Sequence, residues 1–163
     1  MTFEAAGEFE KGRFRRAALL QLQSMTPEDL AARSKKLCAG IAAFAEWRAA
    51  ERMLLFSPFR TEPQIAPLEM AALASGRQVF IIPPTLREES ELQLPFKPDF
   101  ILVPGLAFTK DNHRLGRGSG FYDRLLAGRA ASAFKLGLCF AFQIHDRIPH
   151  EAHDAILDAV ITD

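Results

Sequence analysis

The sequence predicts a three-layer α/β domain, and two features carry that expectation. Short apolar runs of strand length, at residues 52–57, 78–83, 99–103, 135–140 and 157–162, alternate with stretches of helical spacing. Polar and glycine-bearing segments follow the ends of several runs, where open α/β sheets bind their ligands.

Taken in order, residues 9–23 place Phe14, Ala17, Ala18 and Leu22 on one face of a helix. Lys11 and Arg15 lie four apart and project from one side of it, a pattern that ordinarily marks a solvated basic face. Thr26-Pro-Glu-Asp29 starts a second helix, with a Thr N-cap, Pro at the first helical position and acids in the first turn. That helix is expected to reach about Glu46, with Leu30, Leu37, Ile41 and Phe44 inward. Residues 52–57 are apolar at consecutive positions, as in a buried strand. The loop Ser57-Pro-Phe-Arg-Thr-Glu62 follows; on its own, Glu62 reads as an acid in the first turn of a helix over 65–74. Gly76 ends that helix, and Pro83-Pro84 closes the next strand. From Thr85 to Pro98 there is a polar connector of little periodicity. Residues 99–103, a turn at Asp111-Asn112-His113 and a glycine loop come next.

Composition bounds the function. The chain of 163 residues is read as one domain, 1–163, with twenty basic and twenty acidic residues in balance. Nothing in that balance favours nucleic acid or an anionic membrane as partner. Cys38 and Cys139 lack metal-type spacing and read as buried thiols of a reducing compartment. No apolar run reaches the length of a membrane span, and the N-terminus lacks an export pattern. A soluble cytoplasmic protein, monomeric or weakly dimeric, is expected.

The most informative stretch is Arg114-Leu-Gly-Arg-Gly-Ser-Gly-Phe-Tyr-Asp-Arg124. Gly116, Gly118 and Gly120 fall at alternate positions, which calls for an unusual backbone or for close approach of another group. A glycine loop opening a helix turns free N–H groups and a positive dipole end toward one point, and phosphate fits such a point. Arg114, Arg117 and Arg124 add charge. The spacing matches neither the P-loop nor GxGxxG, and taken alone it suits a plain glycine-rich turn as well as a phosphate cradle.

The whole string resembles the signature of the 5-formyltetrahydrofolate cyclo-ligase (methenyltetrahydrofolate synthetase) family. There, V-P-G-x-A-F and R-L-G-x-G-x-G-Y-Y-D run in order; here Val103 to Phe108 and Arg114 to Leu126 match. The resemblance extends from Lys11, Phe14 and Arg15, through Ser57 and Glu62, to Gly137–Gln143, Ile148–Asp154 and Asp158–Thr162. It implies an open, largely parallel sheet flanked by helices. It also implies an ATP- and Mg²⁺-dependent cyclisation of 5-formyltetrahydrofolate to 5,10-methenyltetrahydrofolate, with release of ADP and phosphate. In that reaction the formyl oxygen attacks the γ-phosphate, and N10 closes on the activated carbon as phosphate leaves.

The residues carried over are these. Lys11 and Arg114 act on the transferring phosphate; Lys11, Arg15, Arg114, Leu115, Gly116, Arg117, Gly118, Ser119, Gly120, Phe121 and Tyr122 hold ATP. The reduced folate meets Ser57, Glu62 and the loop from Arg117 to Phe121, with Glu62 on the pterin. Magnesium falls to Asp123 and Asp154, although Asp123 also serves simply as a favourable charge in a first helical turn. His150, His153 and Asp154 are too few for a zinc site, and His153 is expected to be a structural hydrogen-bonding residue. Three departures stand out: Phe121 replaces a tyrosine, Pro63-Gln64-Ile65 replaces V-D-T, and 85–98 lacks most of an insertion that covers folate. Two alternatives follow: an ATP-dependent enzyme acting on another small substrate, or a non-catalytic nucleotide- or folate-binding relative.

Overall fold

A computed structural model describes residues 3–163, with side chains from Gly7 onward. The chain order is α1 (Phe3–Ser24), α2 (Pro27–Ala43), α3 (Ala45–Ala49), β1 (Arg52–Phe56), α4 (Ala66–Ala74), β2 (Gln78–Ile82), β3 (Phe100–Val103), β4 (Ala107–Thr109), β5 (Arg114–Leu115), α5 (Phe121–Ala127), β6 (Phe134–Cys139), β7 (Ile144–His145) and β8 (Ala159–Thr162). Five strands form one sheet in the order β2-β1-β3-β6-β8, and every neighbouring pair is parallel.

Strand β3 lies at the centre, and each of its residues, Phe100 to Val103, is fully buried. Alternation sends Phe100 and Leu102 to one face, where they join Met53, Leu55, Leu136 and Leu138 beneath α2, α3 and α4. Ile101 and Val103 point to the other face and pack with Leu54 of β1 and with Phe121, Leu125 and Leu126 of α5. The expected three layers follow directly from consecutive apolar positions on strands covered from both sides.

The expected second helix is two. Thr26 caps α2 as anticipated, its hydroxyl accepting from the Asp29 N–H at 3.1 Å. Phe44 then leaves helical geometry, with φ −67° and ψ 133°, before α3 begins. The break turns aromatic side chains into the sheet: Phe44 meets Phe134 at 5.9 Å, and Trp47 sits edge-on to Phe100 at 5.6 Å. Gly76, at φ 78°, ends α4 as predicted, and the Arg77 N–H reaches back to the Ala72 carbonyl.

A second, three-stranded sheet, β5-β4-β7, was not expected. Its antiparallel hairpin, β4–β5, turns at Asn112, whose φ of 70° is left-handed. Thr109 steadies that turn by accepting the His113 N–H on its hydroxyl at 3.0 Å. Gln143, buried, accepts the Phe140 N–H and donates to the Gly105 and Leu106 carbonyls, tying this small sheet to the end of β3. Both cysteines are buried and unpaired, and burial pushes the Cys139 thiol up to about 12. Among the described residues no helix is long and apolar enough to cross a membrane.

Candidate functional site

Successive connections in the main sheet reverse direction at β1: β2 lies on one side of it and β3 on the other. Such a switch point leaves a crevice beyond the carboxyl ends of the strands. A cleft of roughly 410 Å³ lies there, bordered by Phe56 and Ser57 after β1, Ile82 to Pro84 after β2, and Pro104 and Gly105 after β3. The glycine loop closes one side and α1 another. Lys11, Arg15, Ser57, Glu62, the stretch from Arg114 to Asp123, and Asp154 all border this cleft. Phe14 and Arg124 are not among its lining residues: Phe14 packs against Ala107, Leu115 and Ile148, and Arg124 donates to the Ser119 and Arg87 carbonyls and to Glu88.

The hairpin explains how Arg114 arrives. Strand β5 holds its backbone against Phe108, and the side chain is buried. Its guanidinium donates to the Pro104 carbonyl at 3.1 Å, lies 3.4 Å from Asp123 and sits 5.4 Å from the centre of the Tyr122 ring. The Arg114 Nε–H is buried with no hydrogen-bond partner among the described residues. A buried guanidinium with a spare donor is a costly thing to maintain without a ligand to accept from it.

Each loop glycine faces a guanidinium. A Cβ on Gly116 would lie 2.6 Å from Arg114 Nη1, one on Gly118 would lie 3.3 Å from Arg15 Cζ, and one on Gly120 would lie 2.8 Å from Arg124 Nη1. Gly118 and Gly120 also have positive φ, 104° and 68°. The close approach inferred from the spacing is therefore made by the protein's own arginines. Arg15 further donates from Nε to the Gly116 carbonyl at 3.1 Å. The hydroxyl of Ser119 accepts the Phe121 N–H at 3.3 Å, so this amide is already engaged.

Lys11 and Arg15 do not form a solvated basic face. Lys11 is buried, and its ammonium contacts Glu151 at 2.7 Å and Asp154 at 3.4 Å. Burial works to lower the Lys11 pKa, but the hydrogen bonds and charges of Glu151 and Asp154 outweigh it and raise the value. The same hydrogen bond, followed by the Lys11 charge, lowers the pKa of Glu151. Asp154 thus reaches the site as partner to Lys11. Asp123 accepts the Ala155 N–H at 3.3 Å, which brings the Asp123 carboxylate beside the Asp154–Ala155 backbone. Among the described residues no group of three or more His, Cys, Asp or Glu is placed to hold a metal.

Glu62 is buried, and its position in a first helical turn is corrected: α4 begins four residues later, at Ala66. One carboxylate oxygen accepts the Phe59 N–H at 2.9 Å, and the other accepts from Arg117 at 3.0 and 3.3 Å. Tyr122 is partly buried, and desolvation pushes its phenol well above the ordinary value. His153 is corrected too. Its side chain is 73 % exposed, with ring nitrogens 3.5 Å from Glu151 and 3.7 Å from Asp154, so it is a surface group with no structural bond to keep.

Sequence reasoning passed over Glu8, Phe59, Leu86, Arg87 and Glu151, which also border the cleft. Glu151 had a signal, since it lies within the matched segment 148–154. Phe59 and Arg87 had none, because a loop residue's neighbours across the sheet leave no periodic trace.

Fold and site together define an open, parallel α/β domain with a charged ligand cleft at its switch point. In comparison with known proteins, residues 95–163 match the model of the 5-formyltetrahydrofolate cyclo-ligase family. The 5-formyltetrahydrofolate cyclo-ligase of Mus musculus is 32% identical over 109 residues, covering 58% of this chain and 53% of that protein. That of Mycolicibacterium smegmatis is 45% identical over 64 residues, covering 39% of this chain and 33% of that protein. The alignments thus span a third to about half of these curated relatives. Solved structures extend the likeness. A 5,10-methenyltetrahydrofolate synthetase from Aquifex aeolicus superposes at TM-score 0.79 and 25% identity, over 93% of this chain and 89% of that one. One from Mycoplasma pneumoniae, at 23% identity, shares the fold at TM-score 0.77 over 93% of this chain and 98% of that one.

Proposed function

We propose that the chain is a 5-formyltetrahydrofolate cyclo-ligase, closing 5-formyltetrahydrofolate to the 5,10-methenyl form at the expense of ATP. The observation that carries the reading is the convergence on one cleft of the whole residue set implied by the family resemblance. Residues as distant as Lys11 and Asp154 meet there.

In this reading Lys11, Arg15 and Arg114 bind the nucleotide's phosphates, and the free Nε–H of Arg114 donates to an oxygen of the transferring group. Residues 115–122 shape the loop around it. The protein's contribution is positioning and charge balance, with no side-chain nucleophile. Ser57 and Glu62 hold the pterin so that its formyl oxygen faces the γ-phosphate. Asp123 and Asp154 suit Mg²⁺: both are oxygen donors beside one cleft, and this ion takes one or two carboxylates with phosphates and waters completing the shell. Bound there, it would neutralise charge developing on the phosphates. Two free, buried thiols are in keeping with a cytoplasmic setting, and a monomer or weak dimer is the proposed state.

The test is absorbance near the methenyl-folate band after mixing protein, 5-formyltetrahydrofolate, ATP and Mg²⁺. Growth of the band, dependent on ATP and lost in Asp123→Ala, is expected. A flat trace with ATP still bound would reject the folate and favour a different small substrate. The short connector is the feature that would favour such a substrate: only its first residues, through Arg87, border the cleft.

A further inference from the structure

The pair Arg117–Glu62 is built asymmetrically. The acid is fixed: its side chain is 7% exposed, and one oxygen is bound by the Phe59 N–H. The loop around it is fastened as well, since the Gln64 amide donates to the Phe59 and Glu62 carbonyls. The base is the more exposed partner. The Arg117 side chain is 37% exposed and stands on a backbone flanked by Gly116 and Gly118, the latter at φ 104°. Its guanidinium lies over the Phe59 ring, 4.4 Å from the centroid, and turns Nε–H and Nη2–H together onto one oxygen of Glu62.

That geometry recognises a flat group presenting adjacent N–H donors to a buried carboxylate, with an aromatic face beside it. A pterin presents such an edge, because its 2-amino group and N3–H belong to a guanidine unit within the ring. We infer that Arg117 is an internal stand-in for the pterin edge, occupying Glu62 until substrate displaces it. The inference rests on the folate reading above. Displacement frees a cation tethered between two loop glycines, one of which abuts the Arg114 guanidinium and the other that of Arg15. A nucleotide phosphate there gives the released guanidinium a new partner. Each ligand then favours the Arg117 position that the other needs, so folate and nucleotide bind with positive coupling. Folate alone binds weakly, because it competes with a group covalently held at its own site.

The experiment is calorimetric titration of 5-formyltetrahydrofolate into wild type, Arg117→Ala and Arg117→Lys. Each is measured with and without Mg²⁺ and the β,γ-imido analogue of ATP. In wild type the nucleotide should tighten folate binding by a factor in the usual range for such linkage, about 5–150-fold. Arg117→Ala should bind folate alone more tightly than wild type, and its coupling factor should fall toward one. Arg117→Lys keeps the charge without the planar fork, so it should also bind folate alone more tightly while retaining part of the coupling. Weaker binding of folate alone by Arg117→Ala would mean that the arginine merely orients Glu62, and would overturn the inference. Unchanged coupling in Arg117→Ala would do the same and leave the cyclo-ligase reading intact. Failure of wild type both to bind folate and to form the methenyl band would reject that reading, and the stand-in role with it.

Discussion

Gly118 and Gly120 show how two glycines of one loop differ in what they do. At φ 104° Gly118 lies beyond the left-handed region that other residues can enter, while Gly120, at φ 68°, lies within it. An added methyl at Gly120 meets only the tip of Arg124, an exposed and movable group. Gly118→Ala should therefore lose more stability, about 2–3 kcal/mol, than Gly120→Ala, about 1 kcal/mol. Denaturant unfolding of the two variants checks this, and equal losses would mean that the loop relaxes around either methyl. At this scale the sequence marked the cluster correctly but could not say what approached it. Glycine spacing records that room is needed; the arginine tips that fill it come from α1, α5 and β5. Glu62 was harder still. Its burial depends on a partner 55 residues away in sequence, and no local pattern encodes such a pairing.

Among elements, α1 has two kinds of attachment. Its second half is packed, with Ala18 and Leu22 buried against Leu37, Leu106 and Phe140. Its first half is held by polar contacts, from Lys11 to Glu151 and Asp154 and from Arg15 to Gly116, together with Phe14, which packs against Ala107, Leu115 and Ile148. The first of these sets a pH window. The folded pKa of Glu151 is below its ordinary 4.5, so its contribution is present above 4.5 and is lost as pH falls through the lower, folded value. The folded pKa of Lys11 is above its ordinary 10.5, so its contribution is present below 10.5 and is lost as pH rises through the higher value. Thermal unfolding of Glu151→Gln should lie below that of wild type near neutrality and converge with it in acid. A constant difference down through pH 4.5 and below would show that the clamp is not titrating. The helices and long strands were legible because burial on one or both faces imposes a period. Strands β4, β5 and β7 were not, since two or three residues hold no period at all.

For the molecule as a whole, strand order decides where chemistry is placed. The order β2-β1-β3-β6-β8 is invisible to periodicity, although strand–helix alternation and the family resemblance both pointed to a parallel sheet. Once that order exists, the loops after β1, β2 and β3 must share one crevice, and the hairpin and glycine loop complete it. The shortness of the 85–98 connector was legible, but its course was not. It folds onto α5: Arg124 bonds to Glu88, Arg129 to Glu89, and Leu92 is buried in the core.

The divided anchoring of α1 makes the molecule's own order depend on what it carries. The second half, with Ala18 and Leu22 buried, stays folded with the sheet, whereas the first half, held by ion pairs and the partly buried Phe14, opens more readily. A ligand whose phosphates engage Lys11 and Arg15 adds its binding energy to closure of that half alone. Amide hydrogen exchange should accordingly slow in residues 7–15 on addition of Mg²⁺ and ATP and stay constant in residues 16–24. Uniform slowing along the helix would mean that α1 opens as one piece. The divided response would make the helix's first half a local reporter of nucleotide occupancy, readable without any turnover.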